Sequence, residues 1–156
     1  MPHRLDHERL DVYQLELQFV AWCEPLLRHL VDQAGPTVRE VADHLDRAAL
    51  SALLNTAEGN GKRQEATRAK FFDIARGSAT ECAACLDALV AKRACGGDDT
   101  SEGKALLVRI VSMLTKPIQR YTPGGRIRED ETEYNVNGKG QTFEADDEDE
   151  DDDEDD

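Results

Sequence analysis

Asn55 to Arg63 reads NTAEGNGKR, and its Gly59-Asn60-Gly61-Lys62 core has the look of a phosphate-cradling loop. That chemistry requires Gly-x-x-x-x-Gly-Lys-Ser/Thr between a strand and a helix. Backbone amides then hold the phosphates, the lysine neutralises them and the hydroxyl binds magnesium. Counting back from Gly61-Lys62, the first glycine falls on Thr56, and Arg63 stands where the hydroxyl is needed. The preceding segment also has helical periodicity. The stretch is therefore a joint between helices, not a nucleotide loop.

Other reactive residue types are sparse. Cys82 and Cys85 form a lone C-x-x-C on a helical pattern, with no second pair of ligands for zinc. They read as small buried hydrophobes. His3 and His7 sit near the start as solvated imidazoles. Glu40 and His44 are four apart, whereas a di-iron bundle needs Glu-x-x-His on two helices. No nucleophile–base set can be assembled, so the chain is expected to have no catalytic residues, metal or cofactor and not to be an enzyme.

Two constellations remain. Lys62, Arg63, Arg68 and Lys70 place four cations at the joint and the first turns of the next helix, where they could hold a phosphate backbone. A solvated helix end is the plainer reading, and no aromatic is interleaved with these cations for base stacking. Arg47, Ser51, Asn55 and Glu58 form a polar stripe at four-, four- and three-residue steps. An antiparallel partner hinged near residue 61 sets Arg47 level with Gly77, Ser78 and Glu81. Gly77 would then allow close backbone approach, and Glu81 would pair with Arg47. A register-fixing network is favoured over a binding or catalytic stripe.

Four helical segments must position these residues. The first carries Leu10, Tyr13, Leu17, Val20, Leu27 and Val31, widened by Phe19, Cys23, Leu26 and Leu30, and stops at Gly35-Pro36. Thr37 and Glu40 suggest a capping box for the second, which buries Val38, Val41, Leu45, Ala48 and Ala52. Leu50, Leu53, Leu54 and Ala57 flank that stripe. Gly59-Asn60-Gly61 suits a left-handed C-cap. The third runs from about Glu65 to Ala94 through Phe71, Ile74, Ser78, Cys82, Cys85 and Leu89. After a Gly96–Asp99 loop, Thr100 or Ser101 caps the fourth, which buries Leu107, Ile110, Val111, Leu114 and Ile118. Pro117 should bend or fray its last turn, and Pro123-Gly124-Gly125 ends it. The only strand-like stretch is Tyr134 to Val136. The expected fold is all-α, an antiparallel up-down four-helix bundle.

Charge divides the chain. The net charge is −14, yet residues 1–128 hold 18 Lys/Arg against 17 Asp/Glu, and twelve of the thirteen residues 144–156 are acidic. Residues 1–128 are expected to form the bundle and residues 129–156 a disordered acidic tail, since like charges with few apolar residues cannot offset the cost of ordering. The tail reads as a solubility device or as a nucleic-acid mimic that docks on the basic joint. No run is apolar enough to span a bilayer, and the charged N-terminus lacks a secretory h-region. With cysteines inside helical patterns, a cytoplasmic setting is expected and no membrane partner.

Several of these residues carry a family resemblance. Arg-Ala-Ala-x-Ser at 47–51, Asn-x-Ala-Glu-Gly at 55–59, Phe-Phe-x-Ile-Ala-Arg-Gly-Ser at 71–78 and Glu81-Cys82 occur in order. LDVYQ at 10–14 and Met113-Leu114 match the outer helices. Over roughly residues 8–120 the chain resembles the small bacterial four helix bundle family, first noted as reading frames inside intervening sequences of large-subunit ribosomal RNA genes. The resemblance implies a homo-oligomer, a ring-like pentamer, and no catalytic residues. One branch, the accessory protein of diversity-generating retroelements, binds nucleic acid and a reverse transcriptase through a basic surface. This chain departs in having Gln64-Glu65 where members often carry Ser-Pro, and in a body of net charge only +1. The expected role is non-catalytic binding of RNA or DNA, structured RNA above all, with a protein–protein adaptor as the alternative.

Overall fold

A computed structural model describes residues 3–122 and 124. A short 3-10 turn, Asp6–Arg9, leads into α1 (Asp11–Gln33), α2 (Pro36–Gly61), α3 (Glu65–Ala91) and α4 (Gly97–Tyr121). Ala34–Gly35, Lys62–Gln64 and Lys92–Gly96 join them, and connections this short make sequence neighbours antiparallel. α1 and α3 each pack on both α2 and α4, so α1–α3 and α2–α4 are the diagonal pairs. The result is the four-helix bundle expected of the sequence. The acidic tail and the stretch at 134–136 lie outside the described residues.

Leu45, Leu86, Leu89, Ile110 and Leu114 are fully enclosed at the bundle axis. Each such side chain stabilises the fold by roughly 2–3 kcal/mol. α4 follows its expected stripe, burying Leu107, Ile110, Leu114 and Ile118, with Val111 half-buried. It begins earlier than expected, at Gly97. Neither Thr100 nor Ser101 is the cap: the Asp99 carboxylate accepts from the Gly96 N–H at 2.7 Å. Pro117 is carried within the helix, which continues to Tyr121.

α1 differs in phase. Val12, Leu15, Glu16, Phe19, Cys23, Leu27 and Leu30 face inward, while Leu17 and Val31 are 39% and 44% exposed. Apolar residues occur on nearly every side of this helix, so periodicity alone admits two phases, and packing selects one. α2 shows a similar shift, burying Ala42, Ala49 and Thr56 and leaving Leu50 and Leu54 about half exposed. No Thr37–Glu40 capping box forms, because Pro36 takes the first helical position and Gly35 becomes the N-cap. In α3 it is Phe72, not Phe71, that is fully buried, and Ile74 is exposed.

Glycines act differently from expectation. The Gly59–Gly61 segment stays helical, and Lys62 follows in extended conformation, so no left-handed cap forms there. Gly59 instead lets α2 approach α3: a Cβ there would stand 3.0 Å from Phe71 Cβ and 3.2 Å from the Phe72 ring. Gly103 on α4 leaves room for the Trp22 ring of α1, which an added Cβ would overlap. The left-handed residue of the bundle proper is Arg93, at φ 59°. Its N–H donates to the Val90 carbonyl and that of Ala94 to the Leu89 carbonyl, a Schellman-type closure that ends α3 at Ala91.

Candidate functional site

Antiparallel packing gathers the start of α1, the end of α2, the start of α3 and the end of α4 at one end of the bundle. All four predicted cations lie on this end, but in two different situations. Arg63 and Lys70 are exposed and, among the described residues, make no ion pair or side-chain hydrogen bond. Lys62 Nζ is 3.1 Å from Glu58 Oε1 and 4.9 Å from the Phe71 ring centroid.

Arg68 is half-buried and built into the bundle end. Its guanidinium lies 4.7 Å from the Tyr121 ring centroid, with longer contacts of 3.5 Å to the Lys62 carbonyl and to Asn60 Oδ1. Its Nε has no partner among the described residues. Arg120 approaches the same ring at 5.6 Å, and Phe72 packs against it at 6.4 Å. Aromatic rings are thus interleaved with these cations after all. They are Tyr121 of α4 and the half-buried Phe71 of α3, and cation–π contacts hold Lys62 and Arg68 in place. Arg63 and Lys70 present free charge to solvent.

The polar seam forms in its centre and not at its upper end. Ser51 Oγ and Ser78 Oγ are 2.8 Å apart, and Asn55 Nδ2 donates to the Ser51 carbonyl at 2.8 Å and to Ser51 Oγ at 3.2 Å. Glu58 turns along its own helix to Lys62. The expected Arg47–Glu81 pair does not form; Glu81 Oε2 is instead 3.5 Å from His44 Nε2. Helical rotation explains the exchange. His44 lies seven residues from Ser51 and keeps to the edge facing α3, whereas the four-residue step to Arg47 turns it about 40° outward. Gly77 faces open space and permits no close approach.

One residue of this end was not found from the sequence. Glu16 is 2% exposed, between α1 and α2. Thr56 Oγ1 donates to Glu16 Oε1 at 2.7 Å, and Oε2 has no partner among the described residues. Burial pushes the carboxyl pKa up to about 8, with the Thr56 hydrogen bond opposing the shift. Its signal was present: Glu16 falls in the inward phase of Val12, Phe19 and Cys23, but a stripe centred on Leu17 hides it.

The thiols are core elements. Cys23, Cys82 and Cys85 are buried and unbridged. Desolvation raises the Cys23 pKa to about 12 and that of Cys82 further, so neither offers a thiolate for chemistry. Among the described residues no group of three or more His, Cys, Asp or Glu side chains could hold a metal ion. No described helix is long and apolar enough to cross a membrane.

The 23S rRNA-intervening sequence protein family matches residues 8–116, from the 3-10 turn into the last turns of α4. The chain belongs to that family. No curated protein matches it.

Proposed function

We propose that this chain is a non-catalytic, self-associating protein that binds structured RNA through phosphate contacts at the α2–α3 joint. The observation that carries this reading is the pairing of two kinds of cation on one surface. Arg63 and Lys70 are exposed without acidic partners among the described residues, beside Lys62 and Arg68, which Phe71 and Tyr121 hold in place. Fixed cations lose little freedom when a polyanion arrives, and free ones exchange counterions for phosphate. Shape and phosphate contacts of this kind suit an RNA helix, whose deep major groove side chains do not read. Arg63 and Lys70 are the phosphate-facing residues; Arg68 acts mainly by positioning the surface.

Self-association draws support from a different face. Leu17, Leu50 and Leu54 are large, apolar and 39–55% exposed. Leu17 directly follows Glu16 and Leu54 comes two residues before Thr56, so both lie level with the Glu16–Thr56 hydrogen bond. An apolar strip on α1 and α2 at that level suits burial against another protein surface. It also supports an adaptor role as the second reading. Titration of a labelled ribosomal RNA hairpin at several salt concentrations separates the two. Phosphate binding weakens steeply with salt, and apolar docking does not.

A further inference from the structure

Away from the basic end, a depression of about 480 Å³ opens between α1 and the α3–α4 connection. Trp22, Pro25 and Leu26 line it from α1, Ala94 and Cys95 from the connection, and Asp99 from the first turn of α4, with the exposed His29 beside them. Its size falls in the range of small-molecule sites, about 300–1,000 Å³. Its walls are mostly apolar, and its one carboxylate faces no Lys or Arg within the lining. Lys92 and Arg93 line a neighbouring depression that shares only His29 and Ala94 with this one.

Both recognition groups are fixed before any ligand arrives. The Trp22 indole stacks on Phe19 with ring centroids 5.7 Å apart. Gly103 makes room for the same ring: a Cβ there would lie 2.2 Å from Trp22 Cζ3. The indole is only half-buried, so part of it stays open to the depression. Asp99 is held by the Gly96 N–H, which donates to Oδ2 at 2.7 Å, and the carboxylate keeps its other oxygen for a second donor. It makes no ion pair among the described residues. Its charge is felt inside the depression: burial pushes the Cys95 thiol pKa up, and the Asp99 charge adds to that shift. An indole face attracts cations through its quadrupole, and a carboxylate attracts them through its charge. Groups preset in this way lose little freedom on binding.

We propose that this depression binds a small organic ammonium ion, with its flat apolar body against Trp22, Pro25 and Leu26 and its charge toward Asp99. Charge decides the class of ligand. An anionic ligand would meet Asp99 with no Lys or Arg in the lining to offset the repulsion. An uncharged ring would gain only apolar burial. The site is independent of the RNA reading, since no residue of the α2–α3 joint lines it. A ligand of about eight non-hydrogen atoms should bind with a dissociation constant on the order of a millimolar.

Trp22 is the chain's single tryptophan, so its fluorescence reports the site directly. The full-length chain is titrated with benzylammonium, benzyl alcohol and benzoate, which share a phenyl body and differ in charge. Backbone amide shifts of Ala94 and Cys95 locate each ligand. The expected result is saturable binding of benzylammonium, roughly fivefold tighter than benzyl alcohol at low salt, with benzoate weakest. Asp99→Asn keeps an oxygen to accept from the Gly96 N–H and should remove the advantage of benzylammonium over the alcohol. Asp98→Asn changes net charge equally outside the lining and should leave that advantage intact. Should Asp99→Asn lower helicity, the order of the three ligands on the natural chain decides alone. Equal affinity for all three, equal effects of the two substitutions, or a fluorescence change that never saturates and leaves Ala94 and Cys95 unmoved would overturn the inference.

Discussion

Arg68, in the first turns of α3, lies with its guanidinium 4.7 Å from the ring centroid of Tyr121, the last residue of α4. The contact joins the start of α3 to the end of α4 and holds one cation at the basic end. Arg68→Gln should therefore destabilise the bundle by about 1–2 kcal/mol, through lost cation–π attraction and lost packing of the arginine stem. Arg63→Gln and Lys70→Gln, at exposed positions, should change stability by less than about 0.5 kcal/mol. Urea unfolding of the three variants checks the contrast. Equal effects would mean that Arg68 is no more embedded than its neighbours.

Glu16 gives the fold a pH dependence with a definite sign. Its carboxyl pKa is raised to about 8 in the fold, against an ordinary value of 4.5. Between those values the folded chain still holds a proton that the unfolded chain has released. Stability therefore falls as pH rises through this range and stays low above it. Glu16→Gln removes the titration while leaving an oxygen to accept from Thr56. The variant's melting temperature should exceed that of the natural chain by a margin that widens from about pH 5 to about pH 8. A margin independent of pH would show that the carboxyl titrates normally.

Three glycines separate packing from propensity. An alanine methyl at Gly103 would overlap the Trp22 ring, so Gly103→Ala should cost several kcal/mol or displace the indole from its place. At Gly59 the added methyl meets Phe71 and Phe72 at 3.0–3.2 Å, and a smaller loss is expected. Gly77 lies within α3 with open space around it, so Gly77→Ala should stabilise by roughly 0.5–1 kcal/mol. Thermal unfolding of the series gives the order directly. A destabilising Gly77→Ala would indicate that another protein surface covers this position.

How much of this was legible in the sequence varied from helix to helix. α4 places Leu107, Ile110, Leu114 and Ile118 against charged neighbours, so one phase stands out and is the one observed. α1 mixes Leu15, Leu17, Phe19 and Val20 around its circumference, and only the positions of α2 and α4 decide which turn inward. Glu16 escaped notice for that reason. The seam's Ser51, Asn55 and Ser78 followed from spacing, while the Arg47–Glu81 pair failed on a rotation of less than half a helical step. The aromatic partner of Arg68 could not be read locally, since Tyr121 lies on another helix far along the chain. Local spacing reports which face a residue shares; it does not report what the neighbouring helix brings to that face.

The exposed apolar strip predicts the state of assembly. Leu50→Lys with Leu54→Lys places two charges on solvent-facing positions of α2, which a monomer tolerates at little cost. If this strip is buried between copies, the substituted chain should shift to a smaller species in light scattering coupled to size exclusion while keeping its helicity. An unchanged mass would move the interface elsewhere.

The central claim is that Arg63 and Lys70 contact phosphate, and the salt dependence of RNA affinity tests it most directly. Each phosphate contact contributes a slope of about −0.7 to −0.9 in log K against log salt. In the full-length chain, Arg63→Gln with Lys70→Gln should weaken binding of a ribosomal RNA hairpin at low salt and make the slope shallower by about 1.4–1.8. Circular dichroism should be unchanged. Undiminished affinity with the original slope, in a chain that is still fully helical, would contradict the account and remove the α2–α3 joint from the binding surface.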